Sequence, residues 1–153
     1  LYTFYELGYN LRPTEITGFL GRAQLKYIDE IIKSREQTFR FFADALYRKR
    51  DLYIQFSYEQ MDVPSAMAFP LVCVSPEVRS RMIERAKGKV EIRPIVAGSM
   101  LLQPFFAKWQ PQAAKKAVCP NAALVHTQGF YLPVYPEMTE EDKQTIVETF
   151  SRV

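Results

Sequence analysis

A chain of 153 residues, 48% of them hydrophobic, is long enough for one domain with a core of its own. Its 20 Lys and Arg are interspersed with 17 Asp and Glu, for a net charge of +3, and without a concentrated basic face no nucleic-acid partner is expected. No apolar run approaches the roughly 20 residues that cross a bilayer and no signal-peptide pattern opens the chain, so a soluble protein with no membrane partner is expected.

Arg12 precedes a proline and is pushed toward extended backbone, Pro13 suits a helix entry, and Thr14 suits its N-cap. Apolar residues then recur at Ile16, Phe19, Leu20, Ala23, Tyr27, Ile28, Ile31, Ile32, Phe39, Phe42, Ala43 and Leu46. Spacings of three and four predict an amphipathic helix, either one long one or two joined by a bend near Tyr27 to Ser34. The basic cluster YRKRD, 47–51, ends that pattern, where cations complement the helix dipole. LYIQFSY, 52–58, alternates in part and predicts an edge strand. AMAFPLVCV, 66–74, predicts a second strand, with Pro70 restricting it to an edge or a bulge. Cys73 within it reads as a small buried thiol. With Cys119 it matches no paired metal-ligand spacing, and two such cysteines suit a reducing cytoplasm.

SPEVRSRMIERAKG reads as a capped helix, with Ser75 at the N-cap, Pro76 at the first position, Glu77 in the first turn and Gly88 as the stop. VEIRPIV, 90–96, predicts a strand, which makes 66–96 a strand, helix, strand unit. AGSMLLQPFFAKWQPQ, 97–112, has no sustained period and predicts an ordered loop with a short helical turn. PNAALVHTQG, 120–129, predicts a short helix stopped by Gly129, and FYLPVYP, 130–136, a short strand. Thr139 and Asp142 approximate a capping box for a final helix. The fold class is α+β: a small, mostly antiparallel sheet packed with a long N-terminal helix and several shorter ones.

Catalytic motifs are missing. The sequence has no glycine-rich phosphate loop, no HExxH and no GxSxG, and its single histidine, His126, suits a packed or hydrogen-bonded role better than that of a catalytic base. One His without clustered acids makes a metal site unexpected. Two stretches carry surplus polar chemistry. In GYNLRP, 8–13, the glycine permits close backbone approach while Asn10 and Arg12 offer donors for phosphate or carboxylate oxygens; the alternative is a loop with Asn10 in a turn and Arg12 solvated. In EIRPIVAGSMLLQPFF, 91–106, Glu91 and Arg93 share one face of a strand, Ala97 and Gly98 allow close approach, and Gln103 with the two phenylalanines could line a pocket. The alternative there is a surface ion pair followed by a loop whose aromatics plug the core.

Together these stretches resemble the DegT/StrS family of nucleotide-sugar aminotransferases, PLP enzymes of fold type I. The resemblance is carried by Gly8-Tyr9-Asn10, Arg12, the Thr14-Glu15 helix start, Gln24-Leu25 and Arg35. GFYLPVYPEMTEED, 129–142, resembles the family's C-terminal strand and helix. EIRPIVAGSMLLQP, 91–104, is most similar to the branch of nucleotide 4-keto-6-deoxyhexose 3-dehydratases of lipopolysaccharide biosynthesis. Thr17-Gly18-Phe19 and Ser99 depart from the pattern, the latter standing where that branch more often has asparagine.

The resemblance implies that residues 1–153 are a C-terminal small domain separated from its large PLP-binding domain, in keeping with a chain that starts at Leu1 in patterned sequence without an initiator Met. It implies Asn10 as a cofactor-phosphate ligand presented across a homodimer interface, with Arg12 beside it, and Glu91 and Arg93 facing a nucleotide-linked 4-keto-6-deoxysugar. PLP is expected in the full-length enzyme and not in the isolated domain, which should be inactive. The group that separates the reactions, Lys in aminotransferases and His in 3-dehydratases, lies upstream. The alternative function is a non-catalytic, stand-alone α+β binding or scaffold domain that uses the long helix as an interaction surface.

Overall fold

The extended Thr14, with φ −129°, begins the first helix: its hydroxyl accepts from the Thr17 N–H at 3.3 Å and satisfies one donor that the helix start leaves unpaired. In this computed structural model, which describes residues 2–96 and 98–152, the helical pattern divides into α1 (Glu15–Gln24), a 3-10 turn (Leu25–Tyr27) and α2 (Ile28–Leu46). The break therefore meets the predicted bend at its first residue. The two helices differ in what they bury. α2 turns Thr38, Phe39, Phe42, Ala43 and Leu46 inward, whereas α1 buries nothing.

The core is organised on two strands, β1 (Ala68–Val72) and β2 (Gly129–Pro133), paired antiparallel with Phe69 opposite Leu132 and Leu71 opposite Phe130. Alternation puts these four side chains on one face, and all are buried. Phe39 and Phe42 of α2 meet the Phe69 ring edge-on, at centroid distances of 5.0 and 5.6 Å. From α3 (Pro76–Ala86) come Val78, Met82 and Ala86; from α7 (Glu140–Phe150) come Ile146 and Phe150. Burying each large apolar side chain contributes about 1.5–3 kcal/mol, so this cluster is where the fold gains its stability. Tyr53 seals one end by donating its hydroxyl to the Phe150 carbonyl at 2.7 Å, and burial raises its phenol pKa.

The helix signals after β1 are read correctly. Ser75 accepts from the Val78 N–H, Pro76 occupies the first turn, and Gly88 takes φ +71° just past the end of α3. Thr139 and Asp142 form a reciprocal capping box on α7. The predicted strands at 52–58 and 90–96 are corrections. The first shrinks to a bridge between Tyr53 and Cys73, because Leu52 and Tyr53 are both buried and so break the alternation. The second shrinks to a bridge between Arg93 and Tyr131, because Pro94 brings no N–H with which to extend a ladder.

The stretch 97–112 is more helical than predicted. A 3-10 turn (Met100–Leu102) leads into α4 (Pro104–Trp109) and α5 (Pro111–Lys116), followed by α6 (Pro120–Gln128). Each proline stands at a helix start, where its missing N–H costs nothing.

Candidate functional site

Residues 2–30 are exposed throughout, so no core burial positions the Gly-Tyr-Asn stretch. What fastens it is the 103–108 region. The Phe4 N–H donates to Gln103 Oε1 at 2.9 Å, Gln103 Nε2 donates to the Tyr2 carbonyl at 3.3 Å, and the Phe105 N–H donates to the Phe4 carbonyl at 3.0 Å. Lys108 also pairs with Glu6. Between the two segments opens a cleft of about 700 Å³, lined by Phe4, Glu6, residues 7–12 and Phe105. The two stretches singled out in the sequence are therefore brought together.

Asn10 and Arg12 both line this cleft and are exposed. Neither side chain forms a hydrogen bond or ion pair among the described residues, so their donors are available to an anion. Arg12 offers a fixed fork of N–H groups and Asn10 a neutral amide, a donor set that fits phosphate oxygens. The N-terminus of α1 begins three residues beyond Arg12, and its partial positive charge favours the same ligand. Gly8 has open space where a Cβ would stand; the chain's own packing does not demand a glycine there.

Glu91 and Arg93 lie elsewhere. Arg93 Nε and Nη2 both donate to Glu91 Oε1, at 3.0 and 2.9 Å, and both side chains are exposed. The guanidinium pKa is raised first by that hydrogen bond, then by the Glu91 charge and by Tyr2 and Tyr131. Neither residue lines the Asn10 cleft. Glu91 borders a separate cleft of about 340 Å³ with Lys89, Tyr135 and Asp142. The surface ion pair, left open as an alternative in the sequence, is what forms.

Close backbone approach occurs at Gly98, but against the chain itself. A Cβ there would stand 2.4 Å from His126 Nδ1 and 2.8 Å from its Cα, at a φ of +55°. The buried Ser99 donates its N–H to the same Nδ1 at 3.4 Å, so His126 is packed and hydrogen-bonded. Ala97 lies outside the described residues. Gln103 is buried rather than lining the cleft, and of the phenylalanine pair only Phe105 reaches it. No periodicity marks Gln103 in the sequence, and its neighbours Leu102 and Pro104 are both exposed, so no local pattern points to its burial.

Among the described residues, no group of three His, Cys, Asp or Glu could hold a metal ion, and no helix is long and apolar enough to cross a membrane. The model of the DegT/DnrJ/EryC1/StrS aminotransferase family matches residues 2–151. The lipopolysaccharide biosynthesis protein RfbH of Salmonella typhimurium is 28% identical over 97% of this chain and 34% of its own length. GDP-4-keto-6-deoxy-D-mannose 3-dehydratase of Escherichia coli O55:H7 is 30% identical over 61% of this chain and 24% of its own length. Among solved structures, an aminotransferase from Psychrobacter cryohalolentis superimposes with a TM-score of 0.74 at 20% identity, covering 94% of this chain and 39% of that one. The E. coli GDP-4-keto-6-deoxy-D-mannose-3-dehydratase with bound hydrated PLP gives 0.68 at 21% identity, covering 94% and 36%. The chain thus spans about a third of the length of the relatives it matches, and the structural likeness establishes the fold.

Proposed function

Because the chain belongs to the DegT/DnrJ/EryC1/StrS aminotransferase family, we propose that it is the small-domain part of a PLP-dependent nucleotide-sugar enzyme, a 3-dehydratase or aminotransferase of deoxysugar and lipopolysaccharide biosynthesis. Its role is to supply half of the cofactor's phosphate site. The observation that carries this reading is the cleft at residues 4–12, where Asn10 and Arg12 offer donors that no other described residue engages.

The exposed donors of Asn10 and Arg12 bind and orient the phosphate, and the open space at Gly8 admits a neighbouring surface. When bound, PLP supplies the electron-accepting ring on which bonds beside the substrate carbon are broken. The rest of the site belongs to a large domain and a second subunit of a cytoplasmic homodimer. Glu91 and Arg93 contact the nucleotide-linked 4-keto-6-deoxysugar once the ion pair opens, a role supported by the exposure of both side chains and by the bridge that sets Arg93 beside Tyr131.

Apolar side chains on α1 support the same reading. Ile16 and Phe19 are each 73% exposed and Leu20 is 56% exposed, a surface that a monomeric domain rarely leaves uncovered. A stand-alone scaffold domain would use this face too, and the two readings part at the cofactor. In the coding frame upstream of Leu1, the enzyme reading expects a large α/β domain with Lys or His at the cofactor carbonyl. The 153-residue chain alone is expected to show no PLP absorbance and no turnover; a cofactor-bound, active preparation of it would overturn the assignment.

A further inference from the structure

We propose that Gln103 is the positioning residue of the phosphate half-site: its amide reads the backbone of residues 2–4 and thereby fixes where residues 8–12 present their donors. This rests on the phosphate-site reading of Asn10 and Arg12. Gln103 is buried, 3% exposed, between neighbours that face solvent. A buried amide is retained only where both its ends are satisfied, and here they are used in opposite senses. Oε1 accepts from the Phe4 N–H and Nε2 donates to the Tyr2 carbonyl, the pattern of alternate residues that an adjacent strand would read.

Gln103 can act as an anchor because it is itself fixed. Its N–H donates to the Met100 carbonyl at 3.1 Å, and its carbonyl accepts from the Phe106 N–H at 3.0 Å. The loop ahead of it is pinned to α6 by the buried Ser99, whose N–H meets His126, and by Gly98 wedged against the same side chain. The path from the folded body to Asn10 therefore runs from α6 through the 98–103 loop to the Gln103 amide, then into the N-terminal backbone at Phe4. With nothing in residues 2–30 buried, the hydrogen bonds from 103 and 105 and the Lys108–Glu6 pair are what give the segment a direction.

The chemistry is specific to a neutral donor and acceptor. Gln103→Ala removes both ends. Gln103→Glu keeps an acceptor but, when ionised, sets a carboxylate against the Tyr2 carbonyl; protonated, it regains a donor, and burial favours that neutral form. The test is amide exchange and 15N relaxation on the 153-residue chain. Gln103→Ala is expected to lower protection at the Phe4 amide at least tenfold and to raise fast motion at residues 8–12, while amides of Phe69 and Leu132 stay protected. Gln103→Glu is expected to behave like wild type while its carboxyl is protonated and like Gln103→Ala once it ionises, the two limits being reached by titrating upward from about pH 5. Unchanged protection and mobility in Gln103→Ala, or wild-type protection in Gln103→Glu above the pH at which its carboxyl is observed to ionise, would overturn the proposal. Titrating the same samples with inorganic pyrophosphate separates the two claims. Saturable shifts at Asn10 and Arg12 that weaken at least fivefold in Gln103→Ala support both. A wild-type chain that gives no shift counts against the phosphate site, and the exchange data then decide on Gln103 alone.

Discussion

The Phe4 N–H and Gln103 Oε1 meet at 2.9 Å although 99 positions separate them in the chain. That bond joins an N-terminal segment with no buried residue to a loop anchored on α6, and it explains how an exposed stretch keeps a defined cleft. The anchoring depends in turn on how tightly the loop is held, which yields the first prediction.

Gly98 and Gly88 both take positive φ, but only Gly98 is crowded. Gly88→Ala should cost about 1 kcal/mol, the strain of a left-handed alanine. Gly98→Ala adds overlap with His126 and should cost about 2–4 kcal/mol. Paired urea titrations check the order; equal losses would mean that the loop relaxes away from α6.

The capping box makes stability pH-dependent. Hydrogen bonds from the Thr139 N–H and hydroxyl hold Asp142 below the usual carboxylate range. A folded pKa below the unfolded one contributes stability that is present above about pH 4 and is lost as pH falls through the folded value. Asp142→Asn should therefore destabilise the chain at pH 7 and differ progressively less from wild type toward pH 2. Glu77, lowered by the Ser75 hydroxyl, leaves part of the acid limb in place. Thr139→Ala should cost about 0.5–2 kcal/mol at pH 7.

Burial pushes the Cys73 thiol up to about 12, and Cys119 is exposed. Since the thiolate is the reactive form, a thiol reagent at pH 8 should modify one cysteine quickly in the native chain and the second only on unfolding. The same shift predicts an alkaline loss of stability: the unfolded thiol ionises near 8.5, so the contribution is whole below that pH and declines as pH rises toward the folded value. Two fast thiols would contradict the packing around β1.

The exposed apolar face of α1 should drive self-association of the 153-residue chain. Light scattering is expected to show mass rising with concentration, and Phe19→Ser with Leu20→Ser to suppress it. A strict monomer at high concentration would mean that the face is tolerated in water.

The local signals in the sequence were those with a short-range cause. Thr14, Ser75, Thr139 and Gly88 act on backbone groups within a turn of themselves, so their roles could be read without the fold. The failures were tertiary. Leu52 and Tyr53 looked like part of an alternating strand, but both turn inward because Tyr53 has a distant partner in Phe150. Pro104 and Pro111 looked like loop residues and instead open helices. At the candidate site, residue type and resemblance single out Asn10 and Arg12 as the proposed phosphate donors, whereas the contacts of Gln103 leave no local signal, because its partners are backbone groups about a hundred positions away.

The central claim is that Asn10 and Arg12 form half of a cofactor-phosphate site. Its most direct test is the PLP dissociation constant of the polypeptide that includes the upstream coding sequence, measured by cofactor absorbance for wild type, Asn10→Ala and Arg12→Ala. Losing a charge-assisted hydrogen bond of about 1.5–3 kcal/mol predicts roughly ten- to hundredfold weaker PLP binding for Arg12→Ala. A smaller loss, several-fold, is expected for Asn10→Ala. Dissociation constants unchanged in both variants would contradict the account.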